Sequence, residues 1–311
     1  MTGDLFVAIC LAAIASGTSI LLPALGEALT ERSGVQNLGV EGMMLMGALF
    51  GYIVDIETNN IVLAFVAAAL AATVLAGIHA FLSITLRANQ IVSGLAVTLF
   101  GSGLTAFLGK PFVGAQAPVV LTRVPIPLLS QIPVLGTILF TQDPVVYISF
   151  VLVPVMWYFI YRTRPGLNLR AIGESPATAD AMGVGVTSRR YLYTLIGGAL
   201  AGVGGAYLSL GYTPTWVEGM TAGRGWIAVG LVVFGTWDPL RVLVGAYLFG
   251  FVDGFQLRAQ GLGTPVPSFF LNMLPYLFTV VVVALSSGER LQRRLGIPRA
   301  LGQPYWREER T

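Results

Sequence analysis

The chain has little charge. Asp, Glu, Lys and Arg make up 11% of its 311 residues, while hydrophobic residues make up 55%. Soluble domains carry about 25% charged residues, so an ordinary soluble enzyme or binding domain is excluded. A mean hydropathy of +0.77 agrees. The single cysteine, Cys10, excludes a disulfide framework and a cysteine metal cluster. The single histidine, His79, excludes a paired-histidine zinc site and leaves almost no nucleophile–base pair. Lysine is reduced to Lys110. With Lys+Arg at 18 and Asp+Glu at 15, the net charge of +3 is too small and too mixed to mark a nucleic-acid surface. The run Gly103–Pro111 (GLTAFLGKP) fails as a phosphate loop: its spacing is one residue too long, and Pro111 stands where a magnesium-binding hydroxyl is required. No catalytic residue, metal site or resident cofactor is expected.

What is abundant is apolar sequence in runs. A transmembrane helix needs about 20 apolar residues. Nine such segments are expected, at Leu5–Leu25, Leu38–Val54, Ile61–Leu86, Gln90–Gly109, Val145–Tyr161, Tyr191–Leu210, Met220–Thr236, Leu240–Leu257 and Phe269–Leu285. The first has no basic flank and no clear cleavage site, so it reads as a retained span rather than a signal peptide. The seventh is anomalous. Its apolar core, Gly225–Gly235, reaches only about 17 Å against a hydrocarbon core of about 30 Å. It must extend through Arg224 or be a broken helix packed inside the protein. The fold class is therefore all-α: a polytopic transmembrane helical bundle.

Arginine placement sets the orientation. With the loop 162–190 in the cytoplasm, 14 of the 18 basic residues lie inside; Lys110, Arg123, Arg224 and Arg258 lie outside. This positive-inside bias gives an outer N-terminus and an inner C-terminus. Residues 1–288 form the transmembrane domain and 289–311 a basic cytoplasmic tail. The connection 110–144 carries six prolines, which forbid a long helix; it reads as an ordered external cap. Small residues four apart, Gly198/Gly202 and Ala201/Gly205, allow close helix approach.

Ionisable residues inside a membrane are functional candidates. Here they are Glu41, His79, Arg224 and Asp253, and they look scattered. Glu41 could serve as an acidic first-turn residue, Asp253 could be interfacial, Arg224 could snorkel outward, and His79 could be a hydrogen-bonded packing residue. A path so poor in charge suits a neutral polar cargo, and Glu41, Arg224 and Asp253 are its candidate residues. Val40-Glu41-Gly42-Met43 recurs as Val217-Glu218-Gly219-Met220. Four residues are a weak repeat, but their placement at an inner and an outer helix start fits an inverted-topology repeat.

Three blocks carry a family likeness. Gly26–Leu49 (GEALTERSGVQNLGVEGMMLMGAL) resembles the N-terminal signature of ABC-importer permeases for nucleosides and simple sugars, within the branched-chain amino acid/ribose permease superfamily. Gly223–Gly250 (GRGWIAVGLVVFGTWDPLRVLVGAYLFG) resembles the second-half signature. Leu169–Val186 (LRAIGESPATADAMGVGV) is similar to the cytoplasmic coupling segment. The likeness covers about Ile20–Leu285. It marks Glu31, Arg32, Asn37, Glu41, Gly223, Arg224 and Gly225 as signature positions. It implies ABC ATPase subunits, a second permease subunit that is a different chain, and an extracytoplasmic substrate-binding protein, all around a chain embedded in the inner (plasma) membrane. Relatives often have ten spans, one more than is read here.

The coupling segment can also be read from its residues. Pro165 and Gly166 stop the fifth span, Ser175-Pro176 opens a short helix, and Gly183 and Gly185 end it. Gly173, Glu174, Ala177, Ala181 and Gly183 are the expected ATPase contacts; 177 and 181 share one helix face. The function expected is nucleoside uptake by an ABC importer, with this chain forming the path and hydrolysis occurring on a partner. The rival readings are a sugar or branched-chain amino acid permease and an autonomous secondary transporter or channel.

Overall fold

The computed structural model describes residues 2–262, 266–286 and 297–307. The α-helices are α1 (Thr2–Arg32), α2 (Val40–Thr58), α3 (Ile61–Ala80), α4 (Gln90–Gly109), α5 (Leu135–Leu139), α6 (Pro144–Arg162), α7 (Arg164–Glu174), α8 (Pro176–Ala181), α9 (Val186–Tyr207), α10 (Arg224–Phe234), α11 (Pro239–Gly261) and α12 (Ser268–Ser286). α3 and α9 run on into π turns at Phe81–Thr85 and Leu208–Tyr212. Every expected apolar segment overlaps one of these helices. Six of them, α1, α3, α4, α6, α9 and α11, are long and apolar enough to cross a membrane.

Local chemistry sets the starts. Asn60, Asp143 and Asp238 each accept hydrogen bonds from two backbone N–H groups at the N-termini of α3, α6 and α11. These are the donors that a helix start leaves without partners. Pro144 and Pro239 occupy first-turn positions, where the missing N–H costs nothing.

Helices α1 and α9 cross at the centre. α1 packs on α11 and α10, while α9 packs on α3 and α2. α2 also meets α3 and α4, and α12 meets α11 and α10. The apolar core between α1, α10 and α11 includes Leu21, Leu25, Ile227, Leu231, Val242 and Phe249. On the other side, glycine brings backbones together. A Cβ on Gly205 would lie 1.9 Å from the Met44 carbonyl oxygen, and one on Gly202 would lie 2.4 Å from that of Ala68. The small-residue spacing in α9 therefore serves contact with α2 and α3 at once.

One end of the bundle gathers the arginines. Arg32, Arg162, Arg170, Arg190 and Arg241 lie at the end where α1 and α6 finish and α9 and α11 begin. At the other end, residues 110–143 form a cap with a short antiparallel pair, β1 (Val124–Pro125) and β2 (Thr141–Gln142). Tyr52 and Asp55 of α2 hold it through Ala115 and Val119. Trp216, fully buried, packs on Gly109.

Several expectations need correction. The seventh segment is the eleven-residue α10, and no helix extends through Met220. The second copy of the Val-Glu-Gly-Met tetrapeptide lies in the turns before α10, whereas the first copy opens α2, so the two are not structural equivalents. Pro165 and Gly166 do not leave a loop after the fifth span. Thr163 caps a new helix there, α7, with Pro165 in its first turn. Beyond these corrections, residues 297–307 of the tail pack onto the body of the protein: Ala300 N–H donates to the Gly173 carbonyl at 2.8 Å, and Gly302 N–H to that of Gly34 at 3.3 Å.

Candidate functional site

The first helix-forming stretch of α10 after the 213–223 connection begins inside the protein. Its eleven residues rise about 17 Å from a start beside Glu41 to a finish at the arginine-rich end. The first backbone N–H groups of a helix have no helical acceptor of their own. Glu41 supplies the partner. One carboxylate oxygen accepts from Thr221 Oγ1 at 2.6 Å and Gly223 N at 2.8 Å; the other accepts from Gly225 N at 2.6 Å. Gly223 can cap this start because its φ is +81°. A Cβ on Gly225 would lie 2.5 Å from the Glu41 backbone, so only glycine permits the approach.

Glu41 also sits in the first turn of α2. One carboxylate thus faces two helix N-termini, each worth roughly half a positive charge. The first-turn reading of Glu41 was correct but incomplete, because its hydrogen bonds go to another helix.

Arg224 and Asp253 are not scattered: their side chains meet inside the bundle. Arg224 Nη2 meets Asp253 Oδ2 at 3.2 Å, with side chains 15% and 9% exposed. The same carboxylate accepts from Ser16 Oγ at 2.5 Å and Tyr212 OH at 3.3 Å, and its other oxygen from Gln256 Nε2 at 3.4 Å. The arginine does not snorkel outward; its guanidinium lies 5.5 Å from the Tyr212 ring centre. The pair adjoins a cavity of about 960 Å³ between α10, α11 and α12. His79 stands apart, bonded to Ser93 Oγ and the Gln36 carbonyl. That carbonyl can only accept, so Nε2 carries the proton and Nδ1 receives the serine hydroxyl.

At the arginine-rich end, Glu31 and Arg32 do not pair with each other; both hold Trp237. Glu31 Oε2 accepts from its indole N–H at 2.6 Å, and Arg32 Nε donates to its carbonyl at 2.9 Å. Thr236 and Trp237 both have positive φ, +56° and +57°, which side-chain-bearing residues rarely adopt. The end of α1 thus fixes the strained turn between α10 and α11. Asn37 organises the return from α1 to α2: its N–H donates to Glu27 Oε1 at 3.0 Å, and its side-chain oxygen accepts from Gly39 N at 2.9 Å.

The stretch expected to be the coupling segment forms a pair of helices, α7 and α8. Ser175 caps α8, and Gly183 follows it at φ +82°. Ala177, Ala181, Gly183 and Glu174 are exposed. Gly173 is not: its Cα faces the Arg32 carbonyl, where a Cβ would come within 2.3 Å, so it belongs to the internal contact of α7 with α1. Met182, 80% exposed beside Ala181, adds an apolar side chain to this surface. The tail packs behind it. Arg307 pairs with Asp180 at 3.1 Å, Arg299 lies 3.7 Å from Glu174, and Tyr305 rests against the cluster of Ile172, Ala179 and Val186. Partial burial, then the Asp180 carboxylate, pushes the Tyr305 phenol above its ordinary pKa. A composition scan of the tail sees only its charges; Ala300, Gly302 and Tyr305 carry the fit.

Comparison with known proteins adds four findings. The family model described as branched-chain amino acid transport system / permease component matches residues 9–285. The chain is 43% identical to a Haloferax volcanii protein provisionally named glucose ABC transporter permease protein TsgC13, over 96% of this chain and 97% of that protein. It is 33% identical to the guanosine ABC transporter permease protein NupQ of Bacillus subtilis, over 94% of each. Among solved structures, an inward-facing ABC transporter provisionally described as of metal-chelate type overlays at a TM-score of 0.52, over 89% of this chain and 85% of that one. At 16% identity that likeness concerns the fold alone.

Replacing Glu41 by alanine should leave the start of α10 without its acceptor and destabilise the protein by about 3 kcal/mol. Glu41→Gln, which keeps acceptor capacity on one oxygen, should lose less. Thermal unfolding of the purified protein in detergent measures both. Parental melting of the alanine variant would show that the clasp does not hold α10.

Proposed function

The chain belongs to the family of branched-chain amino acid transport system permease components, and from that premise we propose that it carries nucleosides as one of two permeases in an ATP-driven importer. The family is one of membrane transport subunits. Hydrolysis is assigned to separate ATPase subunits, the second permease to a different chain, and cargo delivery to an extracytoplasmic binding protein. This chain itself binds no cofactor.

One observation carries the cargo reading: the charges at the centre cancel. Arg224 is matched by Asp253, and Glu41 is committed to two helix ends. An uncharged polar solute asks no counter-charge of these three residues, whereas a zwitterionic amino acid would find them already committed; Arg258 also lines the adjoining cavity. Arg224 and Asp253 are retained as path residues. Glu41 is assigned a structural part. A guanosine permease of similar sequence favours nucleosides. The provisional glucose assignment of a more similar relative supports a simple sugar as the second reading.

The topology proposed is nine crossings with an outer N-terminus, a cytoplasmic C-terminus and the plasma membrane as the site. The separation of the arginine-rich end from the cap over 110–143 supports it. An inverted repeat relating α1–α4 to α9–α12 is supported by reciprocal packing. α1 with α11 mirrors α3 with α9, α1 with α10 mirrors α2 with α9, and α2 with α4 mirrors α10 with α12. The ATPase contact is assigned to the exposed face of α8, with Glu174, Ala177, Ala181, Met182 and Gly183. Nucleotide-driven movement there would alternate access to the path.

Three measurements follow. In a Cys10-free background, Glu57→Cys should react with an impermeant thiol reagent from outside and Ala181→Cys only from inside; the same sidedness for both would overturn the topology. Proteoliposomes holding the whole transporter should take up labelled guanosine with ATP even when the proton gradient is collapsed. Uptake that needs the gradient and no ATP would point to a secondary transporter. Ala181→Trp should insert normally and bind the binding protein, yet lose uptake and stimulated ATP hydrolysis. Parental transport would remove α8 as the docking element.

A further inference from the structure

We propose that the cap is seated in the membrane. Residues 124–142 lie in the headgroup–acyl boundary of the leaflet opposite the arginine-rich end, and acyl chains of that leaflet fill the groove beside them on α6. The inference goes beyond the importer reading and does not rest on it. It requires only that the chain is embedded in a bilayer.

The first observation is composition. Between Pro111 and Gln142 the only charged residue is Arg123; a soluble stretch of this length carries about eight. Apolar side chains point outward. Leu128 is 79% exposed, and Leu129, Ile132, Val134 and Leu135 are exposed with it. Ile138 faces the other way and packs with Ile14 of α1 and with Val145 and Val146 of α6. A patch of this kind marks contact with a protein or a membrane.

The second observation is level. α6 has 19 residues. That is a rise of about 28 Å, which only just crosses a hydrocarbon core of about 30 Å. Its start must therefore sit at the boundary. Tyr147, at the end of the first turn, has a hydroxyl that accepts from Gln142 N at 3.0 Å and donates to the Val124 carbonyl at 2.9 Å. It holds β1 and β2 at that height, where tyrosine is enriched in membrane proteins. From Tyr147 an apolar groove of about 400 Å³ runs along α6, lined by Ile148, Val151, Leu152 and Val155. The apolar surface of the cap thus meets the apolar face of α6 at Tyr147.

The third observation is the backbone. Lipid leaves any N–H without an acceptor stranded. Nine N–H groups between Ile126 and Phe140 donate to carbonyls of the same segment, among them Ile126 to Phe140 and Gly136 to Ile132, both at 2.9 Å. Pro125, Pro127 and Pro133 have no N–H to place. The prolines that forbid a long helix here also remove donors that lipid could not satisfy. Lipid suits this patch better than a transient protein partner, because such interfaces are no more apolar than ordinary surface and residues 124–142 contain no charge at all.

The test uses the full chain with its co-purifying partners, in phosphatidylcholine proteoliposomes. Leu128→Cys, Leu135→Cys, Val151→Cys and Glu57→Cys, each in a Cys10→Ser background, receive a nitroxide label. Collision with oxygen, which concentrates in lipid, is compared with collision with a water-soluble nickel chelate. The labels at 128, 135 and 151 should all favour oxygen, and the label at 57 should favour the chelate. Collision dominated by the chelate at either cap position would place the cap in water and overturn the proposal. Weak collision with both reagents at 128, 135 or 151 would show that a protein, such as a second permease, covers this face, and would overturn it equally.

Discussion

A helix that begins inside a membrane protein must find partners for its first N–H groups, because lipid supplies none. α10 begins in this way, and Glu41 meets the requirement with both carboxylate oxygens. The rest of the centre follows from that contact. It joins the start of α2 to the start of α10, at a point where Gly225 leaves room for the backbones to meet. It fixes the height at which Arg224 leaves the helix, and hence its meeting with Asp253. Without the short helix, Arg224 and Asp253 would have no reason to share a level in the bundle.

The same helix is held at its other end by different chemistry. Glu31 and Arg32, adjacent in sequence, grip Trp237 through its indole and its carbonyl, and so keep two left-handed residues in place. The carbonyl of Arg32 in turn abuts Gly173 at the end of α7, and the tail ties that corner to Gly34 and Asp180. A displacement of α7–α8 therefore reaches α1, the α10–α11 turn and α10 through packed contacts. On the reading proposed above, these contacts would link α8 to the centre.

Much of this was legible in the sequence, and what was not has a physical cause. Apolar runs placed the helices because they act over a few residues. Ser175, Pro176 and Gly183 marked α8 for the same reason. α7 was missed because Pro165 was read as a terminator, although proline in a first turn after a threonine cap begins a helix equally well. The bonds from Glu41 to Gly225 and from Arg224 to Asp253 span 184 and 29 residues. No local spacing announces either, so the ionisable residues looked scattered. The repeated tetrapeptide was misleading, since its second copy lies in turns.

The account depends most on the carboxylate of Glu41 acting as the acceptor that holds α10. A double-mutant cycle tests this directly, with unfolding free energies of Glu41→Ala, Thr221→Val and the double variant measured in mixed micelles. If the two side chains bond to each other, the threonine substitution should cost much less once Glu41 has been replaced, giving a coupling of at least about 1 kcal/mol. Simple additivity of the two losses would contradict the clasp.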